Sequence, residues 1–229
     1  MRGEPDLAVY NERLASAYQS LNYGSSLSGY FMRRGHVLLE RAFDSDRHFS
    51  RVVEVGSGAG EHLGFVRHGF DHYLMTDWND IRLERARAAL PEALRARVGI
   101  GREDATKLSF EDASVDRLIA THILEHLYRP HEVLREWYRV LKRGGVMSIL
   151  LPCDPGLLWR FGRMLGPRAN AERAGIEYDY WMAREHVNPI GNLIVFLRYY
   201  FPEVQETWYP ARVPSTDLNL FYMCHVSKP

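Results

Sequence analysis

The chain has 229 residues, 46% hydrophobic and 25% charged, which is enough to bury a sizeable core in one domain. Lysine plus arginine and aspartate plus glutamate stand at 29 each, so no net field points to nucleic acid as a partner. The two cysteines, Cys153 and Cys224, are too few for a disulfide framework or a cysteine-rich zinc site.

The opening "MRGEPDLAVYNERL" has acids and a proline where a secretion signal needs an apolar core. No apolar run approaches the roughly 20 residues that span a bilayer. A cytoplasmic, reducing location is therefore expected, with no transmembrane segment. Residues 6–39 read as helical, interrupted at "NYGSS" and carrying Tyr10, Tyr18, Tyr23 and Tyr30, so residues 1–45 are expected to form a helical cap. Apolar runs of strand length then alternate with helical stretches. "RVVEVG", "HYLMTDW", "RVGIGRED", "VDRLIATHI" and "GGVMSILLP" are the strands, with "DIRLERARAALPEAL" and "PHEVLREWYRVLKR" as amphipathic helices between them. That rhythm predicts parallel crossovers and a doubly wound α/β sheet. From residue 154 to 189 the alternation lapses into mixed aromatics, arginines and glycines, read as an inserted lid within a single domain. It returns with the helix "IGNLIVFLRYYF" and an antiparallel strand pair, "ETWYPARV" and "LNLFYMCHV".

The chemistry begins at "EVGSGAGEH", where Gly56, Ser57, Gly58 and Gly60 follow the first strand. A glycine-rich turn there lets a ligand approach the backbone closely. The spacing is not that of the dinucleotide fingerprint, because Glu61 occupies the place of its third glycine. Glu61 is expected in the first helical turn, where it would repel a pyrophosphate, and no P-loop lysine is present. An adenosine ligand without phosphates suits this turn. S-adenosylmethionine fits, with Glu54 toward its ammonium. Asp77 ends the second strand, where an acid can accept both ribose hydroxyls. Asp104 can accept from the adenine amino group, Ala105 leaves room for the ring, and Trp78 adds an apolar face. Each has a plainer alternative: tight packing for the glycines, a helix cap for Asp77, turn chemistry for Asp104.

Taken together, "EVGSGAG", "MTDW", "REDATKLSFEDASVDRLIATHILEHL" and "VLREWYRVLKRGGVMSILLP" resemble the successive motifs of class I S-adenosylmethionine-dependent methyltransferases, most closely the type 11 group. The resemblance covers roughly residues 51–152, within an expected cofactor-binding core of residues 51–153. It implies a Rossmann-like seven-stranded sheet with one antiparallel strand, and S-adenosylmethionine over the carboxyl ends of the first strands.

"HILEH", residues 122–126, matches the H-x-x-E-H protease motif. That motif must lie wholly within a helix and find a distant third ligand, whereas here it follows a strand directly. Ubiquinone-pathway O-methyltransferases, which this region also resembles, carry acids at this turn that hold a divalent ion; His122 stands where such an acid would be, so no obligatory metal is expected. Glu125 and His126 are read as a hydrogen-bonded pair steadying the floor, and His122 as lining the cofactor site. In the lid, "REHVNP" offers His186 as a substrate-side base, with His122 as the alternative. Arg160, Arg163, Arg168 and Arg173 suggest an anionic or sugar-bearing acceptor. Tyr18 or Tyr23 is expected to place a ring or hydroxyl against the methionine end of the cofactor. The expected activity is methyl transfer to a hydroxyl or amine of a small molecule from saccharide, lipid-linked or secondary metabolism. The rivals are a non-catalytic cofactor-binding protein and a nucleic-acid methyltransferase, the latter disfavoured by "THIL" after the fourth strand.

Overall fold

The computed structural model of the chain describes residues 27–229 except Leu165. The helical reading of residues 6–26, with Tyr10, Tyr18 and Tyr23, lies outside these. Helix α1 is Leu27–Leu39. The core strands are β1 His48–Val55, β2 Gly69–Asp77, β3 Val98–Arg102, β4 Val115–Thr121 and β5 Leu141–Pro152. Helix α2, Asp80–Ala89, joins β2 to β3, and α3, Pro130–Val140, joins β4 to β5. Then come α4 Leu157–Met164, α5 Pro167–Arg173, α6 Tyr178–Glu185, α7 Ile190–Tyr200, β6 Val204–Pro210 and β7 Asn219–Ser227.

The seven strands lie in the order β3-β2-β1-β4-β5-β7-β6. All pairings are parallel except those of β7, which is antiparallel to both β5 and β6. Chain order reverses between β1 and β4, and the carboxyl ends flanking such a reversal are where open α/β sheets bind ligands. The central strands are covered on both faces, which is why β4 and β5 read as near-continuous apolar runs. Helix α3 starts on Pro130 and buries Val133, Leu134, Trp137 and Val140 against the sheet. Its Trp137 Nε1 donates to the Ala105 carbonyl at 2.8 Å, fixing the loop after β3.

One expectation fails after β1. The glycine turn leads into a four-residue 3₁₀ turn, His62–Phe65, with Glu61 just before it. Gly64 and the start of β2 at Gly69 leave no room for a full α-helix there.

Arg117 interrupts the apolar run of β4 and is fully buried, as is Glu40 at the end of α1. The guanidinium donates to both Glu40 oxygens, Nη1 to Oε2 at 2.9 Å and Nη2 to Oε1 at 2.6 Å. Its plane lies 4.1 Å from the Phe43 ring centre. His62 Nε2 lies 2.9 Å from Glu40 Oε1, and Ser148 completes the guanidinium's partners. Burial alone would raise the Glu40 pKa, but the hydrogen bond from His62 and the Arg117 charge hold it well below the usual carboxylate range.

A depressed folded-state pKa means that this carboxylate stabilises the fold above the unfolded carboxylate pKa and ceases to as pH falls through the folded one. Glu40→Gln is expected to cost about 3–5 kcal/mol in urea unfolding at neutral pH, because Arg117 stays buried without its counter-charge. The double variant Glu40→Leu, Arg117→Met should recover most of that loss. Full stability in the single variant would show that the pair does not hold α1 to the sheet.

Candidate functional site

A cavity of about 710 Å³ opens at the carboxyl ends of β1, β2, β4 and β5 and beneath the helices of segment 154–189. Its lining changes character along its length. Near β1–β3 it is polar, with Gly56, Asp77, Trp78, Asn79, Glu103 and Asp104. Toward the segment after β5 it is aromatic and aliphatic, with Trp159, Phe161, Ile176, Tyr178, Trp181 and Phe221.

At the polar end, Gly56, Gly58 and Gly60 all have positive φ, a conformation only glycine adopts without strain. A Cβ on Gly56 would lie 2.0 Å from Ile123 Cδ1, and one on Gly60 2.9 Å from Met75 Sδ. Those two glycines are therefore demanded by packing, whatever ligand they also admit. Gly58 differs: its N–H donates to Asp77 Oδ2 at 3.1 Å, so the turn and the end of β2 are locked together. Asp77 is 3% exposed, and its Oδ1 accepts from Asn79 N at 2.9 Å. Each oxygen keeps a further lone pair, and Arg82 Nη1 approaches Oδ2 to 3.8 Å. Asn79 caps α2, accepting from Ile81 and Arg82 N–H groups. Asp104 makes an Asx turn through Thr106 N at 2.8 Å, so the turn reading of this residue holds while it also borders the cavity beside Ala105.

Glu54 does not border the cavity. It is 1% exposed, accepts from the Tyr73 hydroxyl at 2.7 Å, and burial pushes its pKa up to about 7. Its other oxygen has no hydrogen-bond partner among the described residues. Ser57 and Gly58 likewise sit behind the lining, and Ser57 is held by its N–H to the Thr76 carbonyl at 2.8 Å. Glu61 accepts from Ala59 N at 3.1 Å, so it braces the glycine turn instead of opening a helix.

At the other end, His122 leaves β4 with φ 54°, a strained value for a residue with a Cβ. Its ring meets Phe221 and His36 edge-on, and its buried Nε2 has no partner among the described residues. Burial and then the neighbouring His186 push its pKa down to about 3. A group so weakly basic cannot efficiently take a proton near pH 7, which argues against His122 as the base.

His186 lies 4.8 Å from His126, ring centre to ring centre, with the rings perpendicular. Its Nδ1 is 2.7 Å from Asp154 Oδ2, so the proton on Nδ1 points at the carboxylate and Nε2 carries the free lone pair. Asp154 also meets Arg163 at 3.4 Å. Sequence reasoning missed Asp154, although it follows β5 directly, the same position that identified Asp77 and Asp104. Glu125 and His126 are not a hydrogen-bonded pair, since they stand 3.9 Å apart. His126 Nδ1 instead donates to the Glu185 carbonyl at 2.9 Å. Asn188 clamps this turn from the lid side, donating from Nδ2 to Leu127 O at 2.7 Å.

Of the four lid arginines, Arg163 alone lines the cavity, and it also lies over the Tyr178 ring. Arg168 pairs with Glu172 and Asp179, Arg173 donates to Asn170, and Arg160 faces solvent. The concentration of arginine thus does not make an anion pocket. The wall beneath segment 154–189 is mainly apolar.

A family model described as a methyltransferase domain matches residues 53–149. The chain is 36% identical over 110 residues to 2-methyl-6-phytyl-1,4-hydroquinone methyltransferase 1, chloroplastic, of Oryza sativa subsp. japonica, a match covering 47% of this chain and 32% of that protein. It is 31% identical over 132 residues to the phosphatidylethanolamine N-methyltransferase of Cereibacter sphaeroides, covering 56% of this chain and 60% of that one. The chain thus spans only part of the length of these relatives. Among solved structures, an Archaeoglobus fulgidus SAM-dependent methyltransferase superposes with TM-score 0.60 at 17% identity, covering 93% of this chain and 99% of that one. Haemonchus contortus phosphoethanolamine N-methyltransferase 2 gives TM-score 0.66 at 15% identity, covering 98% and 59%. Sequence match and fold agree on a methyltransferase domain over residues 53–149, in a chain whose sheet is shared with S-adenosylmethionine-dependent methyltransferases.

Asp77→Ala is expected to weaken S-adenosylhomocysteine binding by about 100-fold in calorimetric titration, since hydrogen bonds to a charged acceptor contribute about 1.5–3 kcal/mol each. Unchanged affinity would remove Asp77 from the ligand site.

Proposed function

We propose that this chain is a class I methyltransferase that moves the methyl group of S-adenosylmethionine to a hydroxyl or amine of a small, largely apolar acceptor such as a quinol or a phospholipid-like molecule. The observation that carries the reading is the cavity itself, polar beside Asp77 and Asp104 and apolar beside Trp159, Phe161 and Trp181, with the Asp154–His186 pair at the far side. Asp77 and Asp104 would take the nucleoside, and the turn after β1 the amino-acid end. The acceptor would lie under the lid with its polar atom toward His186 Nε2. Relatives acting, by name, on a hydroquinone and on phosphatidylethanolamine favour an apolar acceptor over the anionic or saccharide one suggested by arginine content.

In-line displacement at a sulfonium carbon gains most from alignment and exclusion of water. The apolar wall supplies the exclusion. Activation of the acceptor falls to His186, the imidazole whose orientation Asp154 fixes. Two buried thiols, Cys153 and Cys224, with burial pushing both pKa values up to about 12, suit a reducing compartment such as the cytoplasm. No helix among the described residues is long and apolar enough to cross a membrane.

The test is product formation with radiolabelled S-adenosylmethionine against reduced quinols and phosphatidylethanolamine, followed by variants on the accepted substrate. His186→Ala should lower turnover by about 10²–10⁴-fold with little change in S-adenosylhomocysteine affinity. If His122→Ala loses turnover while His186→Ala keeps it, activation belongs to the end of β4. Binding of S-adenosylhomocysteine without turnover on any acceptor would favour a non-catalytic role.

A further inference from the structure

Three side chains from two distant parts of the sequence meet at the boundary between the turn after β4 and the lid. Glu125, His126 and His186 each present one donor atom, and these atoms lie within 4.8 Å of one another. A tetrahedral ion with bonds of about 2.1 Å needs its donors about 3.4 Å apart, so closure asks for side-chain shifts of roughly an ångström.

The hydrogen bonds around the three already impose the arrangement a cation requires. His126 Nδ1 faces the Glu185 carbonyl, which only accepts, so that nitrogen holds the ring proton and Nε2 is a lone pair. His186 is fixed the same way by Asp154. An imidazole whose Nδ1–H is tied to a carbonyl or carboxylate is the usual support of a metal-binding histidine. Glu125 supplies the independent sign of a ligand. Its side chain is 3% exposed, and Oε2 is buried with no hydrogen-bond partner among the described residues. A buried carboxylate oxygen left unpaired is costly unless something cationic meets it.

We infer that Glu125, His126 and His186 form a divalent-cation site at the acceptor end of the cavity. Two imidazoles and one carboxylate suit zinc or a similar first-row ion, and three protein donors leave a position open. This reverses the sequence expectation of a protein indifferent to chelators. It deepens the proposed activity, rests on that reading only for the ion's purpose, and makes His186 Nε2 a ligand of the ion in place of a base. An acceptor hydroxyl at the open position would lose its proton to solvent more readily. Its oxygen lone pair would form the O–CH₃ bond while the C–S electron pair returns to sulfur, and the ion would keep its charge. Glu125 and Asp154, the latter shared with Arg163 at 3.4 Å, offset part of the ion's positive charge and so reduce repulsion toward a nearby sulfonium.

The experiment uses the full chain, stripped with EDTA, dialysed, and titrated with zinc by calorimetry and with cobalt(II) by visible absorption. One ion per chain and a cobalt ligand-field band are expected. Glu125→Gln and His126→Ala should each weaken zinc by more than about tenfold, and Asp154→Asn by about tenfold, while S-adenosylhomocysteine affinity stays within about threefold. The exposed His72→Ala should change neither. If His126→Ala fails to fold, the shape-preserving Glu125→Gln decides alone. Absence of zinc binding in a chain that binds S-adenosylhomocysteine overturns the ion site and spares the methyl-transfer reading. Zinc bound equally by wild type and Glu125→Gln overturns it too, as an adventitious ion only. A chain that binds zinc through these residues but not S-adenosylhomocysteine supports the site and sinks the methyl-transfer reading.

Discussion

One buried carboxylate ties together the parts of the molecule that make the cavity. Glu40 comes from the end of α1, Arg117 from β4, and His62 from the turn that follows the glycines. A lone guanidinium in the sheet interior would be prohibitively costly, so the pair forces α1 to lie across the sheet at one position. The linkage continues toward the cavity. His62 Nδ1 is 2.8 Å from His36 Nδ1, so one ring donates and the other accepts. The His36 ring stacks on Phe65 and meets His122 edge-on. The strained residue at the end of β4 is thus positioned by a polar chain that starts well away from it.

That arrangement explains why two glycines serve packing as much as ligand access. Gly56 must let Ile123 approach, because Ile123 follows the left-handed turn at His122. Gly60 must let Met75 fill the space between the glycine turn and α2. Gly58, behind the cavity lining, ties the turn to the end of β2 through its N–H to Asp77. A shared spacing conceals three different physical demands.

The legible part of the site was the part built by the sheet. In a parallel sheet the carboxyl ends of neighbouring strands share one edge, so an acid just after an apolar run can be placed without knowing any contact. Asp77, Asp104 and His122 were found that way, and all three border the cavity. Asp154 obeys the same rule, but it stands where the strand–helix rhythm lapses, so nothing in the pattern singles it out. Glu54 misled because period-two alternation cannot tell which buried face of a central strand a side chain occupies. The approach of His126 to His186 was out of reach, because it depends on how α6 ends and on Asn188 clamping the turn after β4. The lid arginines were overread because composition says nothing about which charges are already paired on the surface.

The histidines of the cavity also answer a charge problem. S-adenosylmethionine brings a sulfonium, and an imidazolium within a few ångströms would oppose it at low effective dielectric. Burial resolves this by holding the His122 and His126 pKa values near about 3, so both rings stay neutral at physiological pH. Burial acts oppositely on Glu125, pushing its pKa up to about 7, so near neutral pH that carboxyl holds its proton part of the time. Desolvation thus keeps the His122 and His126 rings neutral, while Arg163 on the same wall is paired with Asp154. A site so arranged is compatible with a cationic ligand beside these rings.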